Sequence, residues 1–524
     1  MKNFLLLFIF LFILSTLKSQ DQYIRNTSID ILHYKFDLVI NDNNDSLFGK
    51  TTVLLKVIKP INGFSLDFTQ PNPKGKGMFV KTISANGSDV SFTHENEKLN
   101  IEIDLVKGEY SFIIDYCGIP KDGLIISKNK HGDRTFFGDN WPNRAHHYLP
   151  VVDHPYEKAT SEFVVTAPNH YQVISNGVLM ETVDVDLELR RTSYRSYQPL
   201  PSKVMVFGAA KFAIQRSDSL GRIPVWSWVY PQEKERGFYD YSMAVDILKW
   251  FEQKFAPYPY NQLANVQSKT RYGGMENAGC IFYHENSIDG KRGSMSLFAH
   301  EIAHQWFGNS ASEADWHHVW LSEGFATYLT EVYKQDNVSD SAFRVGMKAA
   351  KDRVFMFTSK VPNSRIIDTS ITNLNRLLNP CTYQKAAWFL HMLRNYVGED
   401  AFWKGVRSYY RANEYGNAYT KEFRGHMEMA AGKPLHLFFN RWLYESSFPV
   451  FSYDWSKKRG IQLEQRGEVF FPIEVKFLIT YSNGEKELIE LNMDTPKIEL
   501  SLKDKKLDIL SVIFDPYEDI LRLK

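Results

Sequence analysis

From about residue 20 to 212, apolar and polar positions alternate with period two. Lys35-Phe36-Asp37-Leu38-Val39-Ile40, Ser161-Glu162-Phe163-Val164-Val165 and Ile101-Glu102-Ile103-Asp104-Leu105 are such runs, and Pro71-Asn72-Pro73 and Asn86-Gly87-Ser88-Asp89 separate others. Successive side chains of a strand point to opposite faces, so this stretch predicts a large antiparallel β domain. After about residue 230 the period becomes helical. Met243, Ala244, Ile247, Leu248, Phe251 and Phe255 form one stripe within Tyr239 to Phe255, and Ser296–Phe307, Glu323–Lys334, Lys385–Val397 and Leu435–Tyr444 repeat the pattern. Residues 213–449 therefore read as a mainly helical domain with a few strands near its start. Beyond Pro449 the period returns to two, and Asn483-Gly484 marks a hairpin turn before Lys486-Glu487-Leu488-Ile489-Glu490-Leu491. Residues 450–524 suffice for a small β-sandwich. The fold class expected is multidomain α+β.

Length and composition fit that division. A chain of 524 residues holds two to four domains at about 150 residues each. Lys plus Arg number 62 against 61 Asp plus Glu, a net charge of +1, so no basic field points to a nucleic-acid partner. Lys2 precedes an unbroken apolar run from Phe4 to Leu14, and a polar segment ends at Ser19. This three-part form predicts a signal peptide over 1–19, and the run is short for a membrane span. The expectation is an exported chain, periplasmic, surface-bound or extracellular, with no integral span after cleavage. Cys117, Cys280 and Cys381 are the three cysteines; they allow one disulfide at most and contain no Cys-x-x-Cys pair. Free thiols are expected.

The chemistry gathers in His300-Glu301-Ile302-Ala303-His304. On a helix, i and i+4 share a face, so both imidazoles can hold one metal ion, with Glu301 beside its open position. Phe307 and Ser310 stand where a longer three-histidine motif would need Gly and His, which removes that subclass. Glu323 follows His304 with 18 residues between them, within Trp320-Leu321-Ser322-Glu323-Gly324, and would make a two-histidine, one-carboxylate site. Taken by itself, Tyr383 is one of 28 tyrosines and Glu276 one loop carboxylate. His146, His147 and His154 read as turn residues, and His317-His318 as packing or outer-shell groups.

Gly273-Gly274-Met275-Glu276-Asn277 upstream of the motif, Tyr383-Gln384-Lys385-Ala386-Ala387 sixty residues after Glu323, and Asn143-Arg144-Ala145 with Asp153-His154-Pro155 complete a pattern. In this order, over about residues 135–449, the chain resembles the zinc aminopeptidase family that contains aminopeptidase N and leukotriene hydrolase. The usual Asp-Glu-Pro of that family is here Asp153-His154-Pro155. The resemblance implies a thermolysin-like catalytic domain at 213–449 and one Zn2+ per chain, held by His300, His304 and Glu323. It implies Glu301 as general base, Tyr383 on the oxyanion, and Glu276 on the free ammonium of a peptide substrate. Gly273, Gly274, Met275 and Asn277 would line the substrate backbone, and Asp139 is the nearest candidate for a second amine-binding carboxylate. The expected activity is removal of N-terminal residues from peptides. An inactive peptide-binding relative, an endopeptidase and an epoxide hydrolase are the alternatives.

Overall fold

The computed structural model describes residues 21–523 apart from Arg222; the expected signal segment 1–19 lies outside them. The described chain divides into two compact units, 21–316 with 413–417, and 317–412 with 418–524.

The first unit is built on an eight-stranded sheet. Its spatial order is Val178–Asp184, Leu189–Leu200, Ala159–Pro168, Ile29–Val39, Leu47–Val57, Gly108–Ile119, Gly77–Ala85 and Ser88–Asp89. The pairing is antiparallel except where Ile29–Val39 meets Ala159–Pro168, with Phe36 opposite Phe163. Those strands are over a hundred residues apart, so no hairpin constrains their direction. The alternation read from sequence is present, but its phase changes inside the strand: Ile29 and Ile31 are buried, then Tyr34, Phe36 and Leu38. A bulge between Ile31 and His33 inserts the extra residue that resets the face.

A second sheet of the same unit positions the site. Its order is Ala213–Leu220, Ile223–Val229, Leu263–Ser268, Cys280–His284 and Gly274–Met275. The three middle strands run parallel and are buried, as near-continuous apolar strands require. The helix expected over 239–255 is two helices, Lys234–Tyr241 and Ala244–Lys254. The break sits where the buried Asp240 carboxylate accepts the backbone N–H groups of Asp289, Gly290 and Arg292, tying the helix end to a loop. Helix Met295–Ala303 then lays Phe298 on Tyr283, ring centroids 4.0 Å apart and nearly parallel. Beyond the helix, Trp306 stacks on Phe251 at 5.5 Å.

The second unit contains the helices Trp320–Asn337, Asp340–Lys360, Ala386–Val397, Thr420–Ala431 and His436–Tyr444. Asp340–Lys360 was not foreseen, because its buried residues are sparse among charged ones; Ser339 starts it by accepting the Ala342 N–H. The chain after Pro449 forms two three-stranded sheets, Val450–Ser456 with Gly460–Arg466 and Lys497–Leu500, and Ile473–Tyr481 with Lys486–Met493 and Ile509–Phe514. Phe451 and Tyr453 of the first meet Phe514 of the second, as in a small sandwich. The Asn483-Gly484 turn is present, with Gly484 at φ +86°. The fold class is thus the expected one: an N-terminal β region, a helical middle and C-terminal strands.

Candidate functional site

His300 and Glu301 lie in the last turn of helix Met295–Ala303, and His304 is the residue that ends it. His304 is fully buried, with Nδ1 3.1 Å from the Phe307 carbonyl. A carbonyl can only accept, so Nδ1 carries the proton and Nε2 is left with its lone pair. That Nε2 stands 3.2 Å from Nε2 of His300. Two nitrogens each about 2.05 Å from one tetrahedral ion are about 3.3 Å apart, so the pair has the spacing of zinc ligands. The carbonyl on His304 Nδ1 is the outer-shell partner that such a ligand takes.

Two carboxylates gather at His304. Glu276, Glu301 and His304 are all buried, and one donor atom from each lies within 4.8 Å of the others. Glu276 arrives on the loop that follows the edge strand Gly274–Met275. That strand is fixed by its pairing of Gly274 with Tyr283 and Met275 with Phe282. Past it, the loop is clamped by two side chains that sequence reasoning did not single out. Gln305 Nε2 and Asn309 Nδ2 both donate to the Glu276 carbonyl, at 2.9 and 2.6 Å, and Gln305 Oε1 accepts the Gly279 N–H at 2.9 Å. Gln305 lies one turn beyond Glu301 on the same helical register, which is the signal that could have found it. Gly274 has no room for a side chain: a Cβ would stand 2.4 Å from Glu301 Oε1. Loop and helix are therefore fitted to each other at the backbone.

Asn277 is fully buried, and neither atom of its amide has a hydrogen-bond partner in the structure. Met275 and Cys280 are buried fillers, and burial pushes the Cys280 thiol well up, so it is no nucleophile. Cys117, Cys280 and Cys381 are all free.

Asp139 is fully buried at the end of strand Arg134–Gly138, with its oxygens committed within the fold. Oδ1 pairs with Arg144, while Oδ2 accepts from Thr270 Oγ1 at 3.1 Å and the Arg271 N–H at 3.0 Å. Its visible work is to tie residue 139 to the segment leading into Gly273–Asn277. Glu323 is buried in the first turn of helix Trp320–Asn337. Tyr383 is half-buried in the π-helical turn Cys381–Lys385 that leads into Ala386–Val397. Wide turns of this kind are enriched at functional positions. Nearby, Lys385 is buried and donates to the Glu445 carbonyl at 2.8 Å; burial lowers its pKa to about 8. His317 Nε2 meets the Ile371 carbonyl at 3.1 Å, and His318 Nδ1 meets Thr420 Oγ1 at 2.7 Å.

Comparison with known proteins accounts for this arrangement. The Peptidase family M1 domain matches residues 239–442, and the Peptidase M1 N-terminal domain matches residues 31–203. The chain belongs to peptidase family M1. It is 25% identical over 393 residues to "Probable aminopeptidase 2" of Sulfurisphaera tokodaii, covering 71% of this chain and 49% of that protein. It is 26% identical over 399 residues to human "Glutamyl aminopeptidase", covering 70% and 42%, and 26% identical over 343 residues to "Puromycin-sensitive aminopeptidase" of Caenorhabditis elegans, covering 62% and 36%. The M1 chain spans about half the length, or less, of these relatives. No helix among its described residues is long and apolar enough to cross a membrane.

Proposed function

We propose that this M1 chain is a zinc-dependent aminopeptidase that hydrolyses the first peptide bond of substrates with a free N-terminus. The observation that carries the reading is the meeting of Glu276 and Glu301 at the His304 imidazole, itself 3.2 Å from His300. One zinc per chain would be held by His300, His304 and Glu323. The case for Glu323 is its position, with 18 residues between it and His304, and its burial on a helix. Zinc in such a set supplies Lewis-acid polarisation and makes water acidic enough to ionise near neutral pH.

The chain's own residues would do the rest. Glu301 accepts the proton of the attacking water and delivers it to the departing amine. The Tyr383 phenol donates to the oxygen that gains charge as the carbonyl is attacked. Glu276 binds the substrate ammonium, and a charge-assisted bond of that kind contributes about 1.5–3 kcal/mol. That favours a chain end over an internal bond by one to two orders of magnitude. The unpaired Asn277 amide is available to the substrate backbone. The test is a panel of amino-acid amides, free and N-acetylated, assayed with and without chelator. Free amides should be cleaved, acetylated ones refused, and chelator should abolish turnover. Glu276→Gln should raise KM at unchanged zinc content. Cleavage of blocked peptides at a comparable rate would make the chain an endopeptidase instead.

Export is proposed on the 1–19 segment alone. Sequencing the N-terminus of exported protein should find a start near Gln20; an intact Met1 in a membrane fraction would overturn it.

A further inference from the structure

The histidines of the turn Ala145–His147 are braced as metal ligands are. His146 places Nδ1 2.7 Å from Oδ2 of buried Asp153, and the same oxygen accepts the His146 backbone N–H at 3.1 Å. His147 places Nδ1 2.6 Å from Thr69 Oγ1, while the Thr69 N–H donates to the His146 carbonyl at 2.9 Å. With both Nδ1 atoms engaged by a carboxylate and a hydroxyl, Nε2 is the nitrogen each ring has left to offer. Such outer-shell bonds orient imidazoles for coordination.

The third group is Glu97. His146 Nε2 lies 3.9 Å from its Oε2, and one donor atom from each of Glu97, His146 and His147 lies within 4.8 Å of the others. Glu97 has φ +57° as the second residue of the two-residue hairpin turn Asn96-Glu97, which joins the paired strands Ser91–Glu95 and Lys98–Glu102. It is held there from both sides: its N–H donates to Gln70 Oε1 at 2.9 Å and its carbonyl accepts the Phe68 N–H at 3.0 Å. Lys121 Nζ takes Oε1 at 2.6 Å, which turns Oε2 to the histidines.

We propose that Glu97, His146 and His147 form a second divalent-cation site, of the zinc type, sharing no residue with the His300–His304 pair. Two imidazoles and a carboxylate are a zinc donor set. Entry of the ion sends any proton on the ligand nitrogens to solvent and changes no other bond. The 3.9 Å separation exceeds the about 3.3 Å of two ligands on one tetrahedral ion, so Glu97, whose side chain is 46% exposed, would close inward by roughly half an ångström. The ion would pin the turn carrying Glu97 to the Ala145–His147 turn.

The test uses the full chain, stripped with chelator and reloaded with Zn2+ at pH 8, with bound zinc counted and affinity read by competition against a chromophoric chelator. His147→Gln should bind one equivalent fewer than the parent. Glu97→Gln, a change at a solvent-facing side chain, should weaken that same equivalent at least tenfold while circular dichroism stays unchanged. The quantity read is a difference between parent and variant. Failure of the His300–His304 assignment would lower both counts together and leave the difference intact. Equal zinc counts and equal affinities in the parent and both variants would overturn the proposal and leave Lys121, Glu97 and His146 as a surface ion-pair network.

Discussion

Gly274→Ala is the change by which the structure can be held to account most directly. A Cβ at that position would lie 2.4 Å from Oε1, 2.5 Å from Cδ and 2.6 Å from Cγ of Glu301. Non-bonded heavy atoms rest at about 3.5–4.0 Å, so the carboxylate or the strand must retreat by about 1 Å. Gly274 is not in the left-handed region, so the substitution adds no backbone strain of its own. Overpacking of this kind costs about 1–3 kcal/mol of stability. The cost to turnover is larger in consequence, because a displacement of about 1 Å in a reacting group is worth about 10²-fold, or about 2.7 kcal/mol. Gly425→Ala is the internal control: in helix Thr420–Ala431, its Cβ would meet nothing within 4 Å. The assay is kcat and KM on a free amino-acid amide, with zinc content and Tm measured on the same preparations. The expected result is a fall of about two orders of magnitude in kcat for Gly274→Ala, and a change below threefold for Gly425→Ala, both with normal zinc. If Gly274→Ala turned over within twofold of the parent, Glu301 would not be the proton acceptor, or its position would not matter.

Three shorter predictions follow from other parts of the molecule. Glu301→Gln should keep its zinc, since Glu301 neighbours a ligand without being one, and should lose at least 10²-fold in kcat; near-normal turnover would sink the mechanism. Tyr383→Phe should lose about 2–4 kcal/mol of transition-state stabilisation, seen in kcat with KM little changed, and an effect confined to KM would assign the phenol to substrate binding. Glu157 is buried, and burial raises its pKa from 4.5 to about 8 even though it accepts the Ile31 N–H at 3.0 Å. Between pH 4.5 and 8 the folded chain therefore holds a proton that the unfolded chain has lost, and stability falls as pH rises, by about 1.4 kcal/mol per unit near the middle of that window. Glu157→Gln should flatten that fall in urea unfolding measured at pH 5 and pH 7.5.

The metal motif was legible in the sequence because its spacing is short and rigid: helical periodicity alone puts His300 and His304 on one face, and the structure has them there. The strands of 21–212 were legible for a similar reason, since each alternates within itself. What the sequence hid is what depends on distant partners. The phase change at Ile31–His33 follows from a bulge against Leu47–Val57, and the parallel pairing with Ala159–Pro168 joins strands over a hundred residues apart. In the sequence Asp139 is only the nearest candidate carboxylate, five residues before Arg144. Its bonds to Thr270 and Arg271 come from a segment 131 and 132 residues away. Asn309 lies beyond helix Met295–Ala303 and holds a backbone carbonyl, and no residue-type pattern marks that.

Those distant bonds explain why so polar a site can be buried at all. Glu276 and Glu301 are two buried carboxylates, and such groups are costly unless opposite charge and hydrogen bonds meet them. The fold of 21–316 spends the buried amides of Gln305 and Asn309 on the Glu276 backbone carbonyl, and the Thr270 hydroxyl and Arg271 N–H on the Asp139 carboxylate. That fixes the loop at its backbone. Two carboxylates gathered at the His304 imidazole suit the cations proposed for the site, a metal and a substrate ammonium. This gives one physical reason for both assignments.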